Sequence, residues 1–181
     1  GLDAKPANFI ISGGTGSGKT TTLNCLGMFI PWDKRLLTVE DTAELQLFHD
    51  HWLRMETRSE RPDGTAEVNM DDCLRSSLRM RPDRIIVGEV RGPEALALLK
   101  AWGTGHPGGI GTIHAGSALG TLRRLEQLIQ ERVVTVPRAL IAETIDVIAV
   151  LVRDGTGRRL AELAEVRPLD ARGDYVLAPL C

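Results

Sequence analysis

Residues 13–20 read Gly13-Gly14-Thr15-Gly16-Ser17-Gly18-Lys19-Thr20, a match to G-x-x-x-x-G-K-[ST], the loop that cradles the phosphates of a nucleoside triphosphate. Its glycines let successive backbone N–H groups turn inward around phosphate oxygens, because they alone accept the required dihedrals without a steric penalty. Lys19 adds a point charge, and the Thr20 hydroxyl is a hard oxygen ligand suited to Mg²⁺. Phe9-Ile10-Ile11 reads as a buried strand entering the loop, and a helix is expected over 20–29. The helix N-terminus then faces the phosphates, where its unpaired N–H groups and dipole favour an anion. Gly13, Gly14, Thr15, Gly16, Ser17, Gly18, Lys19, Thr20 and Thr21 are therefore the candidate nucleotide-binding residues. The loop implies ATP or GTP and leaves the base open.

Outward from the loop, strands and helices alternate. Residues 35–39 form a short apolar strand that delivers Glu40 and Asp41 at its C-terminal end. Residues 45–57 look extended and lead into a polar loop over 58–65. Asn69 is placed to cap a helix with Asp71 and Asp72 in its first turn, running to about Arg79 and ended by Pro82. Residues 84–87 are the next buried strand. Pro93 opens a helix to Trp102, and a glycine-rich stretch over 103–111 precedes a short strand at Thr112 and Ile113. Ser117 caps a long helix to about Arg132, with Leu119, Leu122, Leu125 and Ile129 expected inward. A shorter helix starts at Pro137. The apolar strand 145–152, a turn through Gly155 and Gly157, and a returning strand over 159–166 follow. Strands that are apolar throughout, alternating with helices, predict an α/β fold: a mainly parallel sheet covered on both faces, with antiparallel strands at one edge.

Composition narrows the partners. The chain has 181 residues, enough for one domain with its own core, and a net charge of −2. No global field attracts nucleic acid, although 18 of the 22 basic residues are Arg, which favours local phosphate or partner contacts. Trp32, Trp52 and Trp102 are scattered rather than interleaved with basic residues and read as packing. Direct nucleic-acid binding is therefore not indicated. Cys25, Cys73 and Cys181 form no close pair, the usage of a reducing cytosol, and each reads as a small buried or terminal residue. No apolar run reaches the length of a membrane span.

Three further segments end at the same edge of the sheet as the phosphate loop, where ligands of such sheets bind. They are Thr38-Val39-Glu40-Asp41-Thr42, Ile85-Ile86-Val87-Gly88-Glu89-Val90-Arg91, and the segment running from Gly105-His106 to Gly111-Thr112-Ile113-His114-Ala115. In this order, with the loop, they resemble the Walker A, Asp-box, Walker B and His-box motifs of the secretion ATPase superfamily, which serves type II and type IV secretion and type IV pili. Gly88 stands where most phosphate-loop enzymes carry Asp. The stretches LKAWGTGHPGGIGTIHAGSA (99–118) and RLEQLIQERVVTVPRALIAETID (124–146) resemble the TrbB-type ATPases of plasmid conjugation. The resemblance covers roughly residues 8–168.

That resemblance implies a RecA-like P-loop ATPase domain with ATP and Mg²⁺ as ligands, in a homo-oligomer that is a hexameric ring. It also implies a cytoplasmic location, peripheral to the inner membrane, with secretion-channel components there as partners. Residues 1–181 would be the C-terminal domain of a longer protein whose N-terminal domain closes over the nucleotide and supplies arginines; the start at Gly1 rather than Met agrees. Lys19 and Thr20 would hold phosphates and Mg²⁺. Glu40 would polarise the attacking water and Glu89 would support Mg²⁺ or the water, two roles that can be exchanged. His114 would sense the γ-phosphate, and His106 would hydrogen-bond across the site. Arg91 is a further candidate, with Arg79 and Arg81, for the site or a subunit interface. Alone, Glu40 could be a solvated strand end and either histidine a structural residue. His49 and His51 match no motif. A pilus-assembly or type II secretion ATPase is the neighbouring alternative. A helicase is disfavoured by the acidic balance, and a small-molecule kinase by the lack of a lid or acceptor pocket.

Overall fold

The computed structural model describes residues 6–180, so Cys181 lies outside the described residues. Eight strands form one sheet: β1 (Phe9–Gly13), β2 (Leu36–Glu40), β3 (Trp52–Glu56), β4 (Arg84–Val87), β5 (Ile110–Ile113), β6 (Val147–Asp154), β7 (Gly157–Arg167) and β8 (Val176–Pro179). Their order is β3-β2-β4-β5-β1-β6-β7-β8. The strands from β3 to β6 are parallel, whereas β7 and β8 return antiparallel, as the alternation predicted. The helices are α1 (Lys19–Gly27), α2 (Met70–Leu78), α3 (Glu94–Gly103), α4 (Ala118–Gln130) and α5 (Arg138–Thr144).

The apolar pairs in the central strands explain the two covered faces. Successive side chains in a strand point opposite ways. Ile10, Leu37, Ile85 and Val87 pack with α2 to α5 in the larger core. Their neighbours Ile11, Leu36 and Ile86 pack on the other face with Leu23 of α1 and with Leu45 and Leu47. Trp102 is fully buried and donates its indole N–H to Ile85 O at 3.0 Å. A Cβ on Gly109 would fall on that indole, and one on Gly111 would stand 3.3 Å from it. These glycines thus make room for the tryptophan.

At the sheet's other end, the buried side chain of Asn8 ties three strands together. Its Oδ1 accepts from Gly108 N and Gly109 N at 2.8 and 3.0 Å, just before β5. Its Nδ2 donates to Thr144 O at 2.7 Å. Its backbone N–H donates to Asp146 Oδ2 at 2.7 Å, just before β6.

Some expectations shift. The extended stretch over 45–57 yields a strand only at Trp52–Glu56, whose five pairs with β2 give it its register. Leu119 is 37% exposed; Ala118, Thr121, Leu122, Leu125, Leu128 and Ile129 form the buried face of α4, a helical stripe that runs through Ala118 rather than Leu119. Trp32 is 61% exposed and stacks on His49 instead of entering the core. Cys25 is exposed on α1, whereas Cys73 is buried.

Replacing Asn8 with Ala strands two buried amide donors and one carbonyl, each costing about 1–3 kcal/mol when left without a partner. Denaturant unfolding of Asn8→Ala is therefore expected to show a loss of roughly 3 kcal/mol or more. A loss below about 1 kcal/mol would mean that the clamp contributes little.

Candidate functional site

The loop after β1 turns through three glycines with positive φ, Gly13 at 152°, Gly16 at 72° and Gly18 at 95°, and passes straight into α1. A side chain at Gly13 would also meet Ser17 Oγ, 2.5 Å away. The path folds Lys19 back over its own loop, where Nζ donates to Gly13 O and Gly14 O at 2.9 and 3.0 Å. Lys19 is only 8% exposed. Burial pushes its ammonium below the ordinary lysine value; the Glu89 carboxylate raises it again and Arg91 lowers it.

A cleft of about 290 Å³ opens beside this loop, lined by Thr15, Gly16, Lys19 and Thr20 on one side. Glu40, Asp41, Thr42, Glu44, Leu45, Gly88, Glu89, Arg91, Thr112 and His114 line the rest. The ends of β1, β2, β4 and β5 meet here, and the cleft brings together the phosphate loop, Glu40 and Asp41, Glu89 and Arg91, and Thr112 and His114.

Glu40 is not a solvated strand end, being 3% exposed. Its Oε1 accepts from Glu44 N and Leu45 N, both at 2.9 Å. Its Oε2 is buried and makes no hydrogen bond among the described residues; the nearest cation is Arg54, 3.8 Å away. Gly88 makes this position available, since a Cβ there would stand 3.0 Å from Glu40 Cγ and 3.4 Å from Oε1. An Asp at position 88 would displace the Glu40 side chain.

Glu89 is engaged at both oxygens. Oε1 lies 2.9 Å from His114 Nε2 and Oε2 accepts from Arg91 at 2.6 Å. The same Arg91 reaches Asp41 at 3.9 Å, and the Glu89 carboxylate holds its guanidinium above its ordinary value. Lys19 Nζ also stands 3.3 Å from His114 Nε2. An ammonium has only donors and a carboxylate only acceptors, so one ring nitrogen cannot satisfy both. The shorter contact assigns a proton to Nε2, donated to Glu89, and Lys19 keeps its loop carbonyls. Lys19, His114, Glu89 and Arg91 thus form a continuous polar wall.

His106 does not join this wall. Gly109 O accepts from Phe9 N at the start of β1, so the residues before 109 lie at the opposite edge of the sheet. The four residues of β5 separate that edge from His114 by roughly 13 Å. His106 Nδ1 is buried there without a partner among the described residues. Arg79 and Arg81 lie between α2 and β4, also at that edge. Conversely, no local pattern marks Arg158, which lies at the start of β7 and donates to Gly16 O at 2.9 Å. Only the hairpin that folds β7 back along β6 brings it there.

Among the described residues no three His, Cys, Asp or Glu side chains converge to hold a metal by themselves. The oxygen donors in the cleft, Thr20 with Glu40 and Glu89, suit Mg²⁺, which takes few protein ligands and completes its shell with phosphate oxygens and water. No described helix is long and apolar enough to cross a membrane.

The family model described as type II/IV secretion system protein matches residues 1–168. The conjugal transfer protein TrbB of Rhizobium radiobacter is 47% identical over 162 residues, 88% of this chain and 48% of its own length. Among solved structures, the VirB11 ATPase of the Brucella suis type IV secretion system superposes with a TM-score of 0.78 at 36% identity, covering 88% of this chain and 48% of that one. The pilus retraction motor PilT with bound ADP gives 0.64 at 28% identity over 93% of this chain and 49% of its own. The chain spans about half the length of the curated relatives it matches. With the phosphate loop and its facing carboxylates, these matches show that the chain belongs to the type II/IV secretion system protein family.

Proposed function

We propose that the chain is the ATP-hydrolysing C-terminal domain of a motor subunit that powers conjugative type IV secretion. On this reading the subunits form a hexameric ring at the cytoplasmic face of the inner membrane, next to the channel they drive. Support comes from the likeness to TrbB and to the VirB11 ATPase, and from relatives about twice as long as this chain. The observation that carries the chemistry is Glu40 Oε2, a buried carboxylate oxygen in the cleft wall with no described hydrogen-bond partner, beside the loop that holds Lys19.

Water enters the reaction as the nucleophile on the γ-phosphorus, and the bond to the β–γ bridging oxygen breaks to give ADP and inorganic phosphate. Glu40 accepts a hydrogen bond from that water through Oε2, while Glu44 N and Leu45 N hold Oε1 and fix the carboxylate. Lys19 and Arg91 bring positive charge to the phosphates. His114 links Glu89 to the terminal phosphate. The Thr20 hydroxyl and the Glu89 carboxylate would hold Mg²⁺, which when bound neutralises charge building on the phosphates. His114 and Arg91 hold both Glu89 oxygens in place and leave lone pairs for an ion, whereas Glu40 Oε2 has no hydrogen-bond partner among the described residues, so the water-activating role falls to Glu40. A pilus motor is a second reading, favoured by the likeness to PilT; deleting the gene would then abolish pilus retraction and spare plasmid transfer.

Lys19→Ala keeps the loop but removes its charge. It is expected to abolish steady-state ATP hydrolysis and weaken nucleotide binding, and unchanged turnover would overturn the ATPase reading. Glu40→Gln is expected to bind ATP normally yet lose about 10²–10⁴-fold in single-turnover rate, the range of a positioned general base. Glu89→Gln should lose less. The reverse order would transfer the water-activating role to Glu89, and full activity in both variants would refute the assignment of the site.

A further inference from the structure

The β6–β7 hairpin carries an arrangement that the hydrolysis site does not explain. Its register sets Arg153 directly opposite Arg158 across the two strands, with Asp154 opposite Gly157 at the tight turn. Like charges facing each other across a strand pair repel. Neither arginine has a carboxylate within ion-pair distance among the described residues, because Asp154 lies 3.5 Å from Arg159 instead. Both arginines nevertheless reach the phosphate loop. Arg158 donates Nε to Gly16 O at 2.9 Å, and its Cδ would stand 3.1 Å from a Cβ at Gly18. Arg153 would stand 3.9 Å from a Cβ at Gly16 through its terminal nitrogen. The chain therefore leans two unneutralised guanidinium groups on the loop whose backbone is built to surround an anion.

We propose that Arg153 and Arg158 form a second phosphate-binding element, which grips the inner phosphates of a nucleoside di- or triphosphate seated on the loop. This rests on the nucleotide-binding reading above. The sheet order supplies the polarity. β1 lies between β5 and β6, so Glu89 and His114 stand on one flank of the loop and the arginine hairpin on the other. A polyphosphate whose terminal group points to Glu89 and His114 runs its inner phosphates toward the hairpin. Bound phosphate removes the repulsion between the two guanidinium groups, so ligand binding also stabilises the hairpin. Arg158 binds through its remaining nitrogens while Nε stays on Gly16 O. The arginines belong to holding the nucleotide rather than to breaking its bond.

The test uses calorimetric titration of the chain with ATP, ADP and inorganic tripolyphosphate, together with thermal unfolding without ligand and with ATP. Arg153→Gln is the primary variant, and Arg158→Gln the second. A charge-assisted hydrogen bond to phosphate contributes roughly ten- to a hundredfold in affinity. Each variant is expected to weaken all three ligands by about tenfold or more. KM for ATP should rise and kcat should hold. The Tm of Arg153→Gln without ligand should stay level or rise, since repulsion is relieved, and its gain with ATP should shrink. Wild-type affinity in both variants would overturn the proposal while leaving the ATPase reading intact. A fall in kcat at unchanged affinity would overturn it too. Failure of the wild-type chain to bind either nucleotide would remove both readings.

Discussion

The geometry of the site depends on one side chain at the far end of the sheet. Asn8 holds the residues before β5 and before β6 with hydrogen bonds of 2.7 to 3.0 Å. It thereby locks the register of the central three strands, with Phe9 level with Ile110 on one side and Val147 on the other. Strands have a side-chain period of two, so a slip by one residue would turn every buried side chain to the opposite face. The same register decides what stands beside the loop where these strands end. Gly13 pairs with Leu151, which sets the arginine hairpin, and Ser12 pairs with Ile113, which sets His114. A buried amide thus governs, through the strands, where charged groups meet a sheet-length away.

Burial and pairing differ between two carboxylates of the cleft, Glu89 and Glu40. Glu89 is engaged on both oxygens, by His114 and by Arg91, which fix the position of its carboxylate. Glu40 is sunk deeper, secured at one oxygen by two backbone N–H groups and without a hydrogen bond at the other among the described residues. A buried acceptor without a partner costs free energy unless the site's chemistry uses it. Gly88 is the structural condition for that arrangement, since any side chain there would crowd Glu40. The glycine that makes the Walker B segment unusual is thus explained by what lies across from it.

Glycines act in a similar way elsewhere, although for different neighbours. Gly109 and Gly111 clear space for the buried indole of Trp102. Gly109 and Gly111 therefore serve the core, and His106 precedes them at the far edge of the sheet. Close approach of a large side chain to the sheet is the common cause, and only a glycine tolerates it.

The amino-acid sequence by itself determined the phosphate loop, the alternation of strands and helices, the parallel sheet with its antiparallel edge, and the convergence of Glu40, Glu89 and His114. Each of these rests on local signals: a motif of contiguous residues, strands apolar throughout, or a polar residue just after a strand. Tertiary structure decided the rest. The register of β3 is set by its pairing with β2, and nothing in residues 45–57 announces where the strand begins. His106 and His114 sit only eight positions apart in the chain, yet a strand carries them to opposite edges. Leu119 fits the helical period but faces solvent, because the docking angle of α4 was not encoded in its own spacing. Arg158 meets Gly16 across 142 positions, and Asn8 meets Gly108 across 100. Such contacts arise from how strands pair, and pairing over that distance leaves no pattern in neighbouring residues.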